Sequence, residues 1–203
     1  FLLGLQEDDT SAIQTRNGEP EQIARMWYAI ANDRGEMLKP LYQKLEADFS
    51  KLTIEGLGYG DYTVVFLATT NPESKATITE QLSDIWLLNQ VAKAPLDDVY
   101  FYKKIEVHIG KEQTAESQIV TLERCVGKVD IDLHVSSDYM WRFIRKIYIT
   151  FDDTEGIYAG LSANGEYSGT ESIESYDITE NRSFYSLPSK EALSGFVTIE
   201  SNR

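Results

Sequence analysis

The chain has 203 residues with 19 basic and 33 acidic side chains, a formal charge of −14, and is 42% hydrophobic and 11% aromatic. That apolar fraction excludes a disordered chain, and the length allows one large domain or two small ones with a sizeable core. The acidic balance excludes counterion-releasing contact with nucleic acid and attraction to anionic lipid surfaces.

Residues 1–22 are polar and turn-rich, with Gln6 to Ser11 and Arg16-Asn17-Gly18-Glu19-Pro20, and read as a lead-in that carries at most one short strand. They hold neither a basic n-region nor a long apolar stretch, so any targeting segment is expected to lie outside them. From Met26 to Ala31 apolar residues occupy both phases of the alternation, as in a strand covered on both faces. Asn32-Asp33-Arg34-Gly35 supplies a turn. Met37 to Phe49 keeps helical spacing at Leu41, Leu45 and Phe49, but Pro40 and the β-rich surroundings favour a long irregular strand.

Leu52 to Glu55, the glycines Gly56, Gly58 and Gly60, and Tyr62 to Thr69 read as a hairpin with a buried second arm. The glycine spacing fits neither a dinucleotide-binding nor a phosphate loop, and no helix follows. The one helix expected spans 78–92: Thr77-Ile78-Thr79-Glu80 forms a capping box, Ile78, Leu82, Ile85, Leu88 and Val91 share a face, and Pro95 follows. Strand alternation resumes at Tyr100 to Lys103 and at Ile105 to Ile109, and a polar connection runs from Gly110 to Ser117.

Val120 and Leu122 lie in one phase of the next alternation, and Val129, Ile131, Leu133 and Val135 in the other. A slip of one residue turns every side chain over, so a bulge or a change of sheet is expected near Gly127. This break divides the chain into an N-terminal β-sandwich with one helix, 1–119, and a C-terminal β-sandwich, 120–203. Strands at Ile144 to Phe151, Ile173 to Ile178, Phe184 to Pro188 and Phe196 to Ile199, punctuated by a Gly/Ser/Asn-rich stretch from Gly156 to Gly169, fill the second.

Candidate chemistry is sparse. Asp130, Asp132 and His134 alternate on one strand face and read as its wet side rather than as a metal cluster. Asp152-Asp153-Thr154-Glu155-Gly156 offers hard oxygen ligands without the spacing of an EF-hand, and a solvated turn accounts for it. His108 and His134 are too few for a zinc cluster or a Cys/His nucleophile pair, and Cys125 is a small buried hydrophobe in a strand. No nucleophile elbow or metalloprotease motif is present. Neither enzyme nor cofactor is expected. Among the tyrosines and Trp27, Trp86 and Trp141, most suit the core; Tyr158 and Tyr167, set among loop residues, are the aromatics available to a carbohydrate ligand.

Leu52 to Ala68, with its Leu-rich strand, Gly-x-Tyr turn and apolar strand, resembles the first domain of the fimbrial subunits of Bacteroidales. Val120 to Leu133 is similar to that family's interdomain strand, Leu-x-Arg-x-x-(small)-Lys-Val, and Phe184 to Pro188 with Phe196 to Ile199 is similar to its second domain. The likeness spans about residues 23–200 and is nearest to the anchoring or minor subunits. It implies a mainly-β chain of two transthyretin-like Greek-key sandwiches and a non-enzymatic role in surface adhesion or fimbrial assembly. It also implies export to the cell surface, outer membrane or fimbrium, through a lipid anchor that this chain does not carry. In the family the second domain continues past the strand matching Phe196 to Ile199, so an unpaired sheet edge is expected here, open to a strand of another subunit. Arg16 resembles a site of trimming by an arginine-specific protease. The alternative function is binding of host or microbial surface glycans on the same scaffold.

Overall fold

The structure is a computed structural model describing residues 2–4, 13–14, 20–43, 49, 51–74, 86–89, 96, 98–111, 117–134, 141–151, 158, 160–168, 175–180, 183–189 and 194–202. Nearly all of their regular structure is strand, in predominantly antiparallel sheets, so the chain is a mainly-β sandwich protein. Two compact units divide it. The first comprises Phe1–Leu88, Asp98–Cys125 and Ser162–Glu166; the second comprises Asn89–Asp97, Val126–Leu161 and Tyr167–Arg203.

Among the described residues up to Arg124 the strands are β1 (Leu2–Gly4), β2 (Ile13–Gln14), β3 (Pro20–Glu21), β4 (Arg25–Asn32), β5 (Met37–Gln43), β6 (Lys51–Thr53), β7 (Gly60–Thr69), β8 (Trp86–Asn89), β9 (Tyr100–Ile109), β10 (Ser117–Gln118) and β11 (Glu123–Arg124). A five-stranded sheet in the order β11-β9-β7-β4-β5 carries the first unit, beside a three-stranded sheet in the order β10-β1-β6. Met26 to Ala31 and Val64 to Ala68 are buried in both phases. Both strands, β4 and β7, lie inside the five-stranded sheet with partners on both sides, which is where an uninterrupted apolar run belongs.

β5 is an edge strand, and its register against β4 slips twice, between Tyr28 and Ile30 and between Ile30 and Ala31. Each slip puts an extra residue on β5, around Pro40-Leu41 and at Leu38. A proline has no N–H to give a second neighbour, so an edge is where the sheet tolerates Pro40.

Two expectations fail in this unit. The hairpin of Leu52 to Glu55 with Tyr62 to Thr69 does not form: β6 pairs with β1, while β7 pairs with β4 and β9. Six residues separate β6 from β7, enough to carry the chain to another sheet, and Gly56 (φ +79°) and Gly60 (φ +144°) make the turns that redirect it. The helix over 78–92 is contradicted at Trp86–Asn89, which is the strand β8; its other residues lie outside those described. Trp86-Leu87-Leu88 satisfies a helical and an extended pattern alike, and pairing in a sheet outweighs the few tenths of a kcal/mol per residue that separate helix propensities.

A hydrogen-bonded cluster closes the far end of β7 in the same unit. Asn71 Nδ2 donates to Asp98 Oδ1 at 2.7 Å, Ser74 Oγ donates to Asp98 Oδ2, and Arg25 Nη1 donates to the Ser74 carbonyl at 2.5 Å. Tyr100 OH donates to Asp98 Oδ2 at 3.4 Å, and burial, with Asp98 nearby, raises the Tyr100 phenol above its ordinary pKa.

The chain changes sheets where the alternation reverses. Val120 and Leu122 are buried, then Cys125 and Val126 are buried side by side. β11 pairs with β9, whereas β12 (Gly127–Asp130) pairs with β17 (Ser183–Ser186). The Cys125 N–H and Sγ both donate to the Tyr100 carbonyl, at 3.0 and 3.3 Å. Burial pushes the thiol up to about 12.

The second unit also holds β13 (Ile144–Phe151), β14 (Gly160–Ser162), β15 (Tyr167–Ser168), β16 (Tyr176–Asp177) and β18 (Gly195–Ser201), of which β14 ends on a residue of the first unit. A three-stranded sheet runs β16-β13-β18, β12 pairs with β17, and β17 is bridged on by Leu96. Ile147, Leu161, Tyr176, Ile178, Phe184 and Leu187 are buried there, with the Tyr176 and Phe184 rings edge to face at 5.4 Å.

Phe66→Ala removes a fully buried ring from the centre of the first unit, and is expected to lower stability by about 3–5 kcal/mol, read as a fall in urea midpoint at unchanged m. The Cys125 thiol gives a pH prediction. The folded state keeps its proton to about 12 while the unfolded state loses it near the ordinary value of 9.0, so the contribution is complete below pH 9 and is lost as pH rises from there towards 12. Urea titrations should show stability falling in that window by up to about 1.4 kcal/mol per pH unit, and a shallower slope for Cys125→Ala.

Candidate functional site: an open sheet edge

The edges of the sheets differ in how they are protected. β5 is bulged and carries Pro40, and β11, β10 and β16 are two residues long. β12 exposes Lys128 and Asp130, which meet at 2.9 Å; its Asp130 also accepts from Ser183 Oγ, and these two contacts, Ser183 first, hold the carboxyl below its usual range. Short length, bulges, proline and exposed charge are the standard ways of keeping an edge from pairing with another chain.

β18 is neither short nor interrupted by proline; its one charged residue is Glu200, and its register with β13 shifts only between Ile144 and Lys146, on β13. It is seven residues long, Gly-Phe-Val-Thr-Ile-Glu-Ser, pairs with β13 alone, and among the described residues no strand lies on its other edge. Every one of its residues is exposed, including Phe196 (57%), Val197 (39%) and Ile199 (49%).

The register shows which backbone groups face outward. On β13, Ile147 turns its N–H to Thr179 Oγ1 (2.9 Å) and its carbonyl to the Ile178 N–H (2.8 Å), both on the side away from β18. Ile199 stands opposite Ile147 and Val197 opposite Ile149, so neither exchanges hydrogen bonds with β13. The amides and carbonyls of Gly195, Val197, Ile199 and Ser201 therefore point to the open edge, and those of Phe196, Thr198 and Glu200 to β13. The donation from the Asn202 N–H to the Phe143 carbonyl at 2.8 Å continues the same alternation.

Side chains follow the same parity. Val197 and Ile199 project on the face of Ile147, which is 1% exposed, and of Tyr176 beyond it, while Phe196, Thr198 and Glu200 project on the face of Tyr148. Two aliphatic residues on the core side of the sheet are thus only half covered, beside a row of amides with no strand partner among the described residues. On the opposite face Lys146 reaches Tyr148 (5.5 Å to the ring centroid) and Asp177 (3.8 Å); Tyr148 first, then Asp177 and Glu200, raise its pKa. Hydrogen bonds from Thr179, with Lys146 nearby, hold Asp177 below the usual carboxylate range.

The residues singled out from sequence are scattered. Tyr158 and Tyr167 do come together, with ring centroids 5.5 Å apart and planes inclined by 31°, both half-buried; Tyr167 lies in β15 rather than in a loop. Asp132 and His134 are exposed and meet at 3.1 Å. No group of three or more His, Cys, Asp or Glu among the described residues is placed to hold a metal ion. Trp27 is buried and Trp141 half-buried. Arg16 and the segment 152–156 lie outside the described residues. The open edge was marked in the sequence by Phe196-Val197-Thr198-Ile199, where two successive apolar residues break the alternation of a half-buried strand.

No family model matches the chain, and no curated protein does. Solved structures share its fold. A candidate adhesin from Bacteroides ovatus superposes with a TM-score of 0.56 at 11% identity, over 89% of this chain and 67% of its own. A structure described as a candidate polysaccharide-binding protein (DUF1812) from Bacteroides thetaiotaomicron gives 0.55 at 10%, over 88% and 69%. A second candidate adhesin from Bacteroides ovatus gives 0.52 at 13%, over 98% and 80%. The resemblance to Bacteroidales surface proteins thus holds at the level of the fold. None of the helices among the described residues is long and apolar enough to cross a membrane.

Amide exchange checks the edge directly. In dilute protein the Val197 and Ile199 N–H groups should exchange at least about tenfold faster than those of Thr198 and Glu200; equal protection at all four would mean that the outer edge is covered.

Proposed function

We propose that this chain is a non-enzymatic surface-adhesion subunit that associates with other subunits by adding a β-strand to the outer edge of β18. The observation that carries the reading is that edge: seven residues, four with outward N–H and C=O groups, and aliphatic side chains half-covered on the core face. An incoming extended segment satisfies the backbone groups and can cover Val197 and Ile199 with its own alternate residues. Fold likeness to candidate adhesins supports the role. The location that goes with it is the cell surface, in a fimbrium or at the outer membrane, and trimming at Arg16 belongs to the same proposal.

Binding of a surface polysaccharide is the second reading, favoured by the neighbouring Tyr158 and Tyr167 rings and by the fold likeness to a candidate polysaccharide-binding protein. Aromatic faces stack on the apolar faces of sugars while the phenols hydrogen-bond hydroxyls.

A synthetic peptide alternating valine and threonine, flanked by lysines, probes the edge. Saturable binding with new protection of the Val197 and Ile199 amides is expected. Val197→Pro removes an outward N–H and leaves the bonds to β13 in place, so the variant should fold as before and bind the peptide at least about tenfold more weakly, a change of about 1.4 kcal/mol. A peptide that binds Val197→Pro as well as the parent is not using this edge. Saturable binding on a glycan array that Tyr158→Ala abolishes would instead support the polysaccharide reading.

A further inference from the structure

We propose that the edge of β18 also pairs with itself, joining two copies of this chain through an antiparallel β18–β18 contact on a two-fold axis at Thr198. The inference rests on reading this edge as a pairing surface, and it names a second copy as the partner.

Parity and symmetry set the register. Outward backbone groups belong to Gly195, Val197, Ile199 and Ser201. An antiparallel partner must match outward residues with outward residues. A second β18 does so in the register centred on Thr198: Gly195 meets Ser201 of the second copy, Val197 meets its Ile199, and the same two pairs recur in reverse. Shifting the axis to residue 197 or 199 preserves the parity but leaves residues at one end of the strand unmatched. The centred register pairs all seven residues.

Side chains agree with that register. Val197 and Ile199, each about half covered within one copy, lie against Ile199 and Val197 of the other on the same face, so the two copies complete each other's cover. On the other face Thr198 meets its own symmetry mate, and Phe196 meets Glu200. The two Glu200 side chains are then four residues apart along the paired strands, about 13 Å, beyond a Debye length at physiological salt. The only charge on the strand therefore does not oppose the pairing.

The charge of the whole chain does. Each copy carries −14, so association is expected to strengthen with salt, from about 0.01 M, where the Debye length is about 30 Å, to about 1 M, where it is about 3 Å. Attachment of a lysine-flanked strand to the same edge should weaken with salt, the opposite sign.

Cross-linking tests the register. In a Cys125→Ala background, Thr198→Cys places two thiols in a non-hydrogen-bonded pair whose Cα atoms are about 4.5 Å apart, within disulfide reach. Phe196→Cys or Glu200→Cys alone places them about 13 Å apart, out of reach. Mild oxidation should therefore link Thr198→Cys into dimers, leave Phe196→Cys and Glu200→Cys monomeric, and link those two when mixed. Sedimentation of the unmodified chain should show a salt-promoted dimer lost in Val197→Pro, and exchange at Val197 and Ile199 should slow as concentration rises. A monomer at every salt concentration, with Thr198→Cys linking no better than Phe196→Cys, overturns the self-pairing. If the valine–threonine peptide still binds in that case, the strand-addition reading stands; if it does not, both readings fall.

Discussion

A β-strand inside a sheet satisfies its backbone on two sides, and a strand at an edge on one. Most of what distinguishes the parts of this molecule follows from that constraint. β4 and β7 have neighbours on both sides and carry the uninterrupted apolar runs; their amides are saturated, and Met26 to Ala31 and Val64 to Ala68 are buried. Outward from them the sequence becomes mixed, and at the two edges the strands shorten, as β11 does, or buckle, as β5 does. At β5 the chain tolerates a proline and two register slips because no further neighbour depends on its regularity. Bulged, short and charged edges are each a local loss of pairing that keeps foreign strands away.

β18 breaks this pattern, and its side chains show that the break is not simple solvation. An edge meant to stay single would be expected to turn charge outward, as β12 does with Lys128 and Asp130. β18 instead sets valine and isoleucine beside outward amides, on the face that carries the buried Ile147. Among the described residues, both the backbone and the core side of the sheet lack a neighbour at the same place. An added strand satisfies the two deficits together, since its backbone and its alternate side chains arrive in one register. Covering the patch with a loop would hide the aliphatics while leaving the amides in want of partners.

The sequence was legible where a single period decided the outcome. The two-phase apolar runs at Met26 to Ala31 and Val64 to Ala68 suited strands covered on both faces, and the phase reversal after Leu122 called for a bulge or a change of sheet near Gly127; the pairing changes from β9 to β17 between Arg124 and Gly127. It was illegible where two periods fit or where partners are distant. Trp86 to Leu88 suited helix and strand alike, and only tertiary pairing separates them. The glycine-rich stretch before Tyr62 resembled a hairpin turn, but β6 finds its partner in β1, some fifty residues away. The Asn71, Ser74, Asp98 and Tyr100 cluster left no mark, because hydrogen bonds between residues 24 to 27 positions apart have no period.

Charge and edge pairing pull in opposite directions here, and the balance between them determines when the edge is used. A chain of charge −14 repels its own kind at long range, which keeps it apart while dilute and at low salt. The edge acts only within a few ångströms, through groups that carry no net charge apart from Glu200. Repulsion therefore sets the rate of encounter between like chains, and the backbone pairing sets how long an encounter lasts. A partner strand rich in lysine avoids the first obstacle and keeps the second advantage. On the proposed strand addition, a basic extended segment is expected to outcompete a second copy at low ionic strength, and that preference is expected to fade as salt screens the field. Selectivity of this kind needs no side-chain lock at the edge itself, only an acidic body behind a neutral strand.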